Sequence, residues 1–199
     1  MAQDRQGIIA FFHEARAAGE IVKSIDISDL DLSFAEISEV MADHMIAKRI
    51  NLSASVLSRA SFLDCNFESS DFTNSDLESI DIADCVLSGA DFTKANLQNA
   101  RINISMCLDA CFDEADLSNG ELIGSTLNNS TFRSANLTAI NAKKASFKFT
   151  DLTGAVLVNG NFEGADFTGA KLDHAIWSGA NINNAKFDDG VRELVQTNL

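Results

Sequence analysis

Counting from Leu52, every fifth residue to Phe187 falls in one register of 28 positions, and 25 of these are Leu, Phe or Ile. A period of five is neither the period of about 3.6 of an amphipathic helix nor the period of about 2 of a half-buried strand, so the chain must turn a corner about once per five residues. Two residues before each apolar centre, at Ser55, Ala60, Cys65, Ser70 and on to Ala185, 25 of 28 positions hold Ala, Ser, Cys, Gly or Thr, the exceptions being Ile50, Ile80 and Ile140. Both positions must point inward. The residue between them is typically Asp or Asn, as in Ala90-Asp91-Phe92 and Ala115-Asp116-Leu117, which gives the in, out, in alternation of a short strand. Two residues after the centre, 16 of 28 positions are Gly, Asn or Asp, types that tolerate positive φ and so permit a tight turn.

This pattern resembles the pentapeptide-repeat family, whose consensus is A(D/N)Lxx, and the match runs from residue 50 to residue 189 without a break in register. The resemblance implies an all-β solenoid, a right-handed quadrilateral β-helix in which four pentapeptides make one coil of twenty residues. On that reading the chain holds about seven coils in a rod roughly 34 Å long at the usual strand spacing. Taken modulo twenty, the sequence becomes vertical ladders. One reads Leu57, Leu77, Leu97, Leu117, Leu137, Leu157, Trp177; a second reads Leu52, Phe72, Phe92, Phe112, Phe132, Leu152, Leu172; a third reads Phe67, Leu87, Cys107, Leu127, Phe147, Phe167, Phe187. The fourth carries the small Ala142 next to Phe162. Each buried Leu or Phe contributes about 1.5–3 kcal/mol of transfer free energy, which offsets the cost of ordering so thin a rod.

The flanking segments read as caps, giving three regions: 1–49, 50–189 and 190–199. Residues 4–18 form an amphipathic helix with Asp4 as N-cap, Ile8, Ile9, Phe11, Phe12 and Ala15 as apolar positions and Gly19 as the stop. Ile25, Ile27, Leu30 and Leu32 alternate as in a strand. Ser33 and Glu36 then make a capping-box pattern ahead of Phe34, Ile37, Val40, Met41 and Met45, which predicts a second short helix over 34–47. The competing reading is a degenerate coil, because Leu32 and Ile37 keep the frame of five. At the far end, Val191, Leu194 and Val195 predict a short C-terminal helix that closes the last coil or pairs with a second subunit.

Composition argues for one elongated domain: 199 residues with no Pro and no linker. The apolar run Ile8–Phe12 is too short for a signal peptide, so cytoplasmic residence is the expectation, with no membrane partner. The four Cys fit it as reduced thiols, Cys65 and Cys85 in the small inward column, Cys107 at an apolar centre and Cys111 outward. No catalytic, cofactor-binding or metal site is expected. The glycines from Gly160 to Gly169 recur at corners and precede no Walker lysine, and His13, His44 and His174 lie far apart in register with no evident partners.

Charge is the feature that rises above the repeat. Between Asp64 and Glu121 stand Asp64, Glu68, Asp71, Asp76, Glu78, Asp81, Asp84, Asp91, Asp109, Asp113, Glu114, Asp116 and Glu121, 13 acids against only Lys94 and Arg101, a net of −11. From Leu122 to Phe187, four acids face six bases, a net of +2. Those acids occupy about three coils, a density comparable with the negative charge every ~1.7 Å of duplex DNA. A stiff acidic rod suits a basic groove built for DNA, and direct nucleic-acid binding is not expected. Within the family the chain is similar to the quinolone-resistance branch, whose members resemble DNA in shape and charge and act on DNA gyrase. Several of those interrupt their coils with loops, and this chain has no interruption between Ile50 and Asp189. The resemblance also implies pairing of two copies through the C-terminal end, where Val156, Val158, Ile176, Val191 and Leu194 would meet. The alternative reading is a scaffold or adaptor with no topoisomerase link, which binds its partner through an outward apolar patch of Val86, Ile104, Met106, Leu108 and Ile123.

Overall fold

The computed structural model describes residues 4–197. An N-terminal helix α1 (Arg5–Ala18) leads into five three-residue strands, β1 (Ile21–Lys23), β2 (Met41–Asp43), β3 (Ser61–Leu63), β4 (Asp81–Ala83) and β5 (Arg101–Asn103), and a helix α2 (Val191–Gln196) ends the described chain. The strands form one parallel sheet in sequence order, each residue paired with the one twenty places on, as in Phe62 with Ile82. These five strands mark four turns of a β-solenoid. Beyond β5, single bridges carry the same twenty-residue register from Arg101↔Glu121 to Asp166↔Lys186.

Each turn has four sides, and the hydrogen bonds run along the rod between turns. The Phe92 amide donates to the Cys111 carbonyl at 2.7 Å, and the Cys111 amide donates back to Ala90 at 2.9 Å. Inside, the predicted ladders are in place: the rings of Phe72, Phe92, Phe112 and Phe132 stack at 4.6–4.8 Å with interplanar angles of 5–7°. Leu77, Leu97, Leu117, Leu137 and Leu157 are all buried beside them.

Every corner adopts the same backbone. From Ser24 to Asn184, each fifth residue stands at positive φ, whether it is Gly, Asn or something far less suited to it. Phe34 (φ 58°), Ile104 (φ 55°) and Phe149 (φ 58°) are the extreme cases, since a left-handed conformation costs a residue with a Cβ roughly 1–2 kcal/mol. The hydrogen-bond ladder imposes it, because the corner amide must reach the next turn, as Ile104 N–H reaches the Ile123 carbonyl at 3.0 Å. Asn and Gly at corners ease this geometry without determining it.

The predicted helix over 34–47 does not form; the competing coil reading holds, and the solenoid begins with β1. The reason is a swap of volumes. In most of the chain the inward pair is small then large, as in Ala60 and Phe62, whereas here it is large then small: Val40 with Ala42, and Met45 with Ala47, all buried. The same swap recurs as Ile140 with Ala142, so at these corners the small and large partners exchange places and the core stays filled, as close packing demands. In sequence, the swap places large residues at helical spacing and hides the frame of five. Phe34 and Met41, assigned to the helix's apolar face, point outward instead, Phe34 with 77% of its surface exposed.

The two ends are closed differently. The carboxylate of Asp4 caps α1 by accepting from Gly7 N–H at 2.7 Å, and Gly19 ends it at φ 66°. Ile8, Phe12 and Ala15 bury one face of α1. Arg5 donates to the Ser33 carbonyl, His13 Nε2 to the Glu36 carbonyl at 2.6 Å, and Arg16 to the Ser38 carbonyl at 3.2 Å. One turn later the equivalent carbonyls of Ser53, Val56 and Ser58 accept from the amides of Phe34, Ile37 and Glu39. Three side chains of α1 thus supply the donors that a preceding turn would have supplied, and they cover an edge that would otherwise be open to strand pairing. At the C-terminal end the cover is partial: Val195 is buried, but a groove of about 380 Å³ remains between α2 and the last turn.

Candidate protein-interaction surface

The twenty-residue register sorts the outward residues onto four sides, named here by their bridge ladders. The first carries β1–β5, the second Ile46, Val86 and Met106, the third Asp71, Asp91 and Cys111, and the fourth Asp76, Asn96 and Asp116. Of the thirteen acids between Asp64 and Glu121, several are matched by a base one turn away. Glu68 pairs with Lys48 (2.8 Å), Asp81 with Arg101 (2.8 Å), Asp113 with Arg133 (2.7 Å) and Glu114 with Lys94 (3.6 Å). Among the described residues, Asp71, Asp76, Glu78, Asp84, Asp91, Asp109, Asp116 and Glu121 have no Lys, Arg or His partner in such a bridge. Five of these, Asp71, Asp91, Asp76, Glu78 and Asp116, fall on the adjacent third and fourth sides.

The carboxylates of the four aspartates are held in place by nearby hydrogen bonds. Asp71 accepts from Thr73 N–H (2.8 Å), Asp91 from both Thr93 N–H (2.8 Å) and its hydroxyl (2.6 Å), and Asp116 from Ser118 N–H (3.0 Å). Amides alternate with carboxylates on the fourth side, where Asn96 donates to Asp76 and Asn136 to Asp116, both at 3.0 Å. For Asp116, burial works against the charged form, but hydrogen bonds from Gln98, Ser118 and Asn136 outweigh it and hold the carboxyl below the usual range. Hydrogen-bonded in this way, the aspartates form a fixed array and not a flexible acidic tail.

The apolar patch read from the sequence lies on the other two sides. Val86 and Met106 bridge directly, and Ile104 and Ile123 meet around the corner through a backbone hydrogen bond. Ile104 is 67% exposed and Met106 48%, whereas Leu108, Val86 and Ile123 are only partly so. Leu63 and Ile46, which the sequence reading did not assign to the patch, extend it toward the N-terminal end. At the C-terminal end, Ile176, Val191 and Leu194 line the groove under α2; Val156 bridges to Ile176 one turn away, and Val158 lies half-buried on the same side.

One cluster contradicts the expectation that no His has carboxylate partners. His44 Nδ1 meets the Asp43 carboxylate, and His44 Nε2 lies 4.0 Å from Asp64 Oδ2. The hydrogen bond and the charge of Asp43 raise the imidazole above its ordinary pKa. Because 34–47 was read as a helix, His44 was never placed in the column it shares with Asp64, twenty residues on. The cysteines lie as expected: Cys65, Cys85 and Cys107 are buried free thiols and Cys111 is half-buried. Burial pushes Cys107 up to about 12.

The profile for pentapeptide repeats, in eight copies, matches residues 48–82, 70–103, 110–148 and 161–189. No match was found among the sequences of curated proteins. Among solved structures, a trypsin-treated form of QnrB1, a plasmid-mediated fluoroquinolone resistance protein, aligns over 90% of this chain and 89% of its own at 22% identity, with a TM-score of 0.53. Full-length QnrB1 aligns over the same shares at 23% identity and a TM-score of 0.47. The pentapeptide-repeat protein Rfr23 from the cyanobacterium Cyanothece 51142 is 26% identical over 49% of this chain and 64% of its own, with a TM-score of 0.43. The repeat profile thus covers well over half of the sequence on the same register that the bridges follow, and the chain belongs to the pentapeptide-repeat family.

Proposed function

We propose that the protein is a non-catalytic binding protein whose third and fourth sides, carrying Asp71, Asp76, Glu78, Asp91 and Asp116, enter a basic groove of a DNA-binding protein, DNA gyrase being the specific candidate. The observation that carries this reading is the set of unneutralised carboxylates, fixed by local hydrogen bonds on two adjacent sides of a stiff rod. Charge presented at fixed spacing loses little conformational entropy on binding and steers association with a cationic surface. The resemblance to the quinolone-resistance branch is what favours gyrase as the candidate partner.

The test is inhibition of gyrase supercoiling by the purified protein. Inhibition is expected to weaken as salt rises, because screening shortens the reach of exposed charges. It should fall at least about tenfold when Asp71, Asp76, Asp91 and Asp116 are all changed to Asn, a replacement that removes the charge and leaves an Oδ1 to accept the backbone N–H bonds. Absence of any effect on gyrase, or equal inhibition by the neutralised variant, overturns the reading.

A second reading is favoured by the gathering of Leu63, Ile104 and Met106 on the opposite sides, which makes these a docking face for an apolar partner surface. If this face carries the function, Met106→Lys together with Leu63→Lys abolishes capture of the cellular partner while the thermal melt stays unchanged. Capture that survives both changes excludes the face.

A further inference from the structure

We propose that Asp43, His44 and Asp64 form a binding site for a first-row divalent cation such as Zn²⁺, Ni²⁺ or Co²⁺, bracing two successive turns of the rod. The parallel register of β2 and β3, Asp43 opposite Leu63, brings the corner residues His44 and Asp64 together on adjacent turns. Their backbones are fixed: His44 N–H donates to the Leu63 carbonyl (3.0 Å), Asp64 N–H donates to the Ala83 carbonyl (3.1 Å), and φ is 56° and 51°. One ring nitrogen of His44 and one oxygen from each carboxylate lie within 4.8 Å of one another. Three ligand atoms so placed need only side-chain adjustments to converge on a single ion.

The electrostatic setting distinguishes this corner from its neighbours. Around it, four acids are neutralised by an Arg or Lys twenty residues away: Asp29 by Arg49, Glu39 by Arg59, Glu68 by Lys48 and Asp81 by Arg101. Asp43 and Asp64 have among the described residues no Lys or Arg in such a bridge; Lys23 stands opposite Asp43 in the β1–β2 register without bridging to it, and the imidazole of His44 is their bridging partner. Asp84 continues the same corner column one turn further on. A bound cation would therefore meet two carboxylates that no Lys or Arg already bridges.

The ligand chemistry sets the class of ion. An all-oxygen site would suit Mg²⁺ or Ca²⁺, whereas an imidazole joined to two carboxylates suits Zn²⁺, Ni²⁺ and Co²⁺. Water completes the coordination shell, because all three side chains reach solvent. Nothing in this assignment depends on the gyrase reading.

The experiment is titration of the full chain with Zn²⁺ by calorimetry and with Co²⁺ by visible absorption, both in millimolar Mg²⁺ so that carboxylate-only sites are occupied. The expected result is a single equivalent of tight uptake, accompanied by a visible Co²⁺ band, which His44→Asn and Asp64→Asn each weaken at least tenfold. Asn tolerates the left-handed corner, so the metal-free melts of both variants should match the parent and separate loss of ligand from loss of fold. Absence of uptake by the parent chain, uptake abolished by Mg²⁺, or uptake indifferent to His44→Asn overturns the proposal.

Discussion

Phe112→Ala is expected to destabilise the rod by about 3–5 kcal/mol, the usual cost of emptying a buried aromatic site. Its ring is fully buried between those of Phe92 and Phe132, 4.8 and 4.6 Å away and nearly coplanar with both. Truncation opens a void with rings above and below it, and neither ring can move in without breaking the stack on its other side. The backbone cannot collapse along the axis either, because the ladders from Phe92 to Cys111 and from Phe112 to Thr131 hold the turns at a fixed spacing. Each turn touches only its neighbours, so the damage should be regional, with hydrogen-exchange protection falling most in the turns on either side of residue 112. Phe34→Ala, the same deletion at an exposed corner, should cost less than about 1 kcal/mol. Chemical denaturation of the two variants checks this, and equal losses would show that the ring stack is not what holds the turns together.

The second large effect concerns the N-terminal end. Phe12→Asp places a carboxylate where a ring is buried against the first turn, and a charge without a partner cannot stay there. Helix α1 should undock, with a loss at least as large as the about 3–5 kcal/mol of a Phe truncation. Undocking also withdraws Arg5, His13 and Arg16 from the carbonyls of Ser33, Glu36 and Ser38, which leaves the first turn as an open parallel edge. Open edges recruit further strands, so the variant should self-associate as its concentration rises, which light scattering alongside circular dichroism detects. A variant that stays monodisperse and melts with the parent would mean that α1 is dispensable to the solenoid.

The sequence disclosed the solenoid because its signal is an inward apolar residue every fifth position, which matches one corner per five residues. Helix α1 was equally legible, from Asp4 to Gly19, since capping is local chemistry. What sequence reasoning lost was the beginning of the rod. The exchange of volumes at Val40 and Ala42, and at Met45 and Ala47, preserves the core while erasing the pattern. That single loss concealed the Asp43, His44 and Asp64 cluster, which depends on knowing that residue 44 lies beside residue 64. The acids from Asp64 to Glu121 are plain in the sequence, but their sorting into paired and unpaired sets is not, because it depends on which base shares a column with which acid. Corner conformation was the subtler case: Asn and Gly marked many corners, yet Ile104 and Phe149 turn the same way because the ladder obliges them to.

A rod whose rungs recognise only their immediate neighbours, with Phe72 and Phe92 stacked 4.8 Å apart, has a length that evolution can set independently of everything else. Copying one rung would move the two ends further apart by that step while leaving α1 and α2 seated on unchanged surfaces. Such a protein works as a ruler, and the reach of its acidic sides would then be matched to a partner by counting rungs instead of by remodelling any contact.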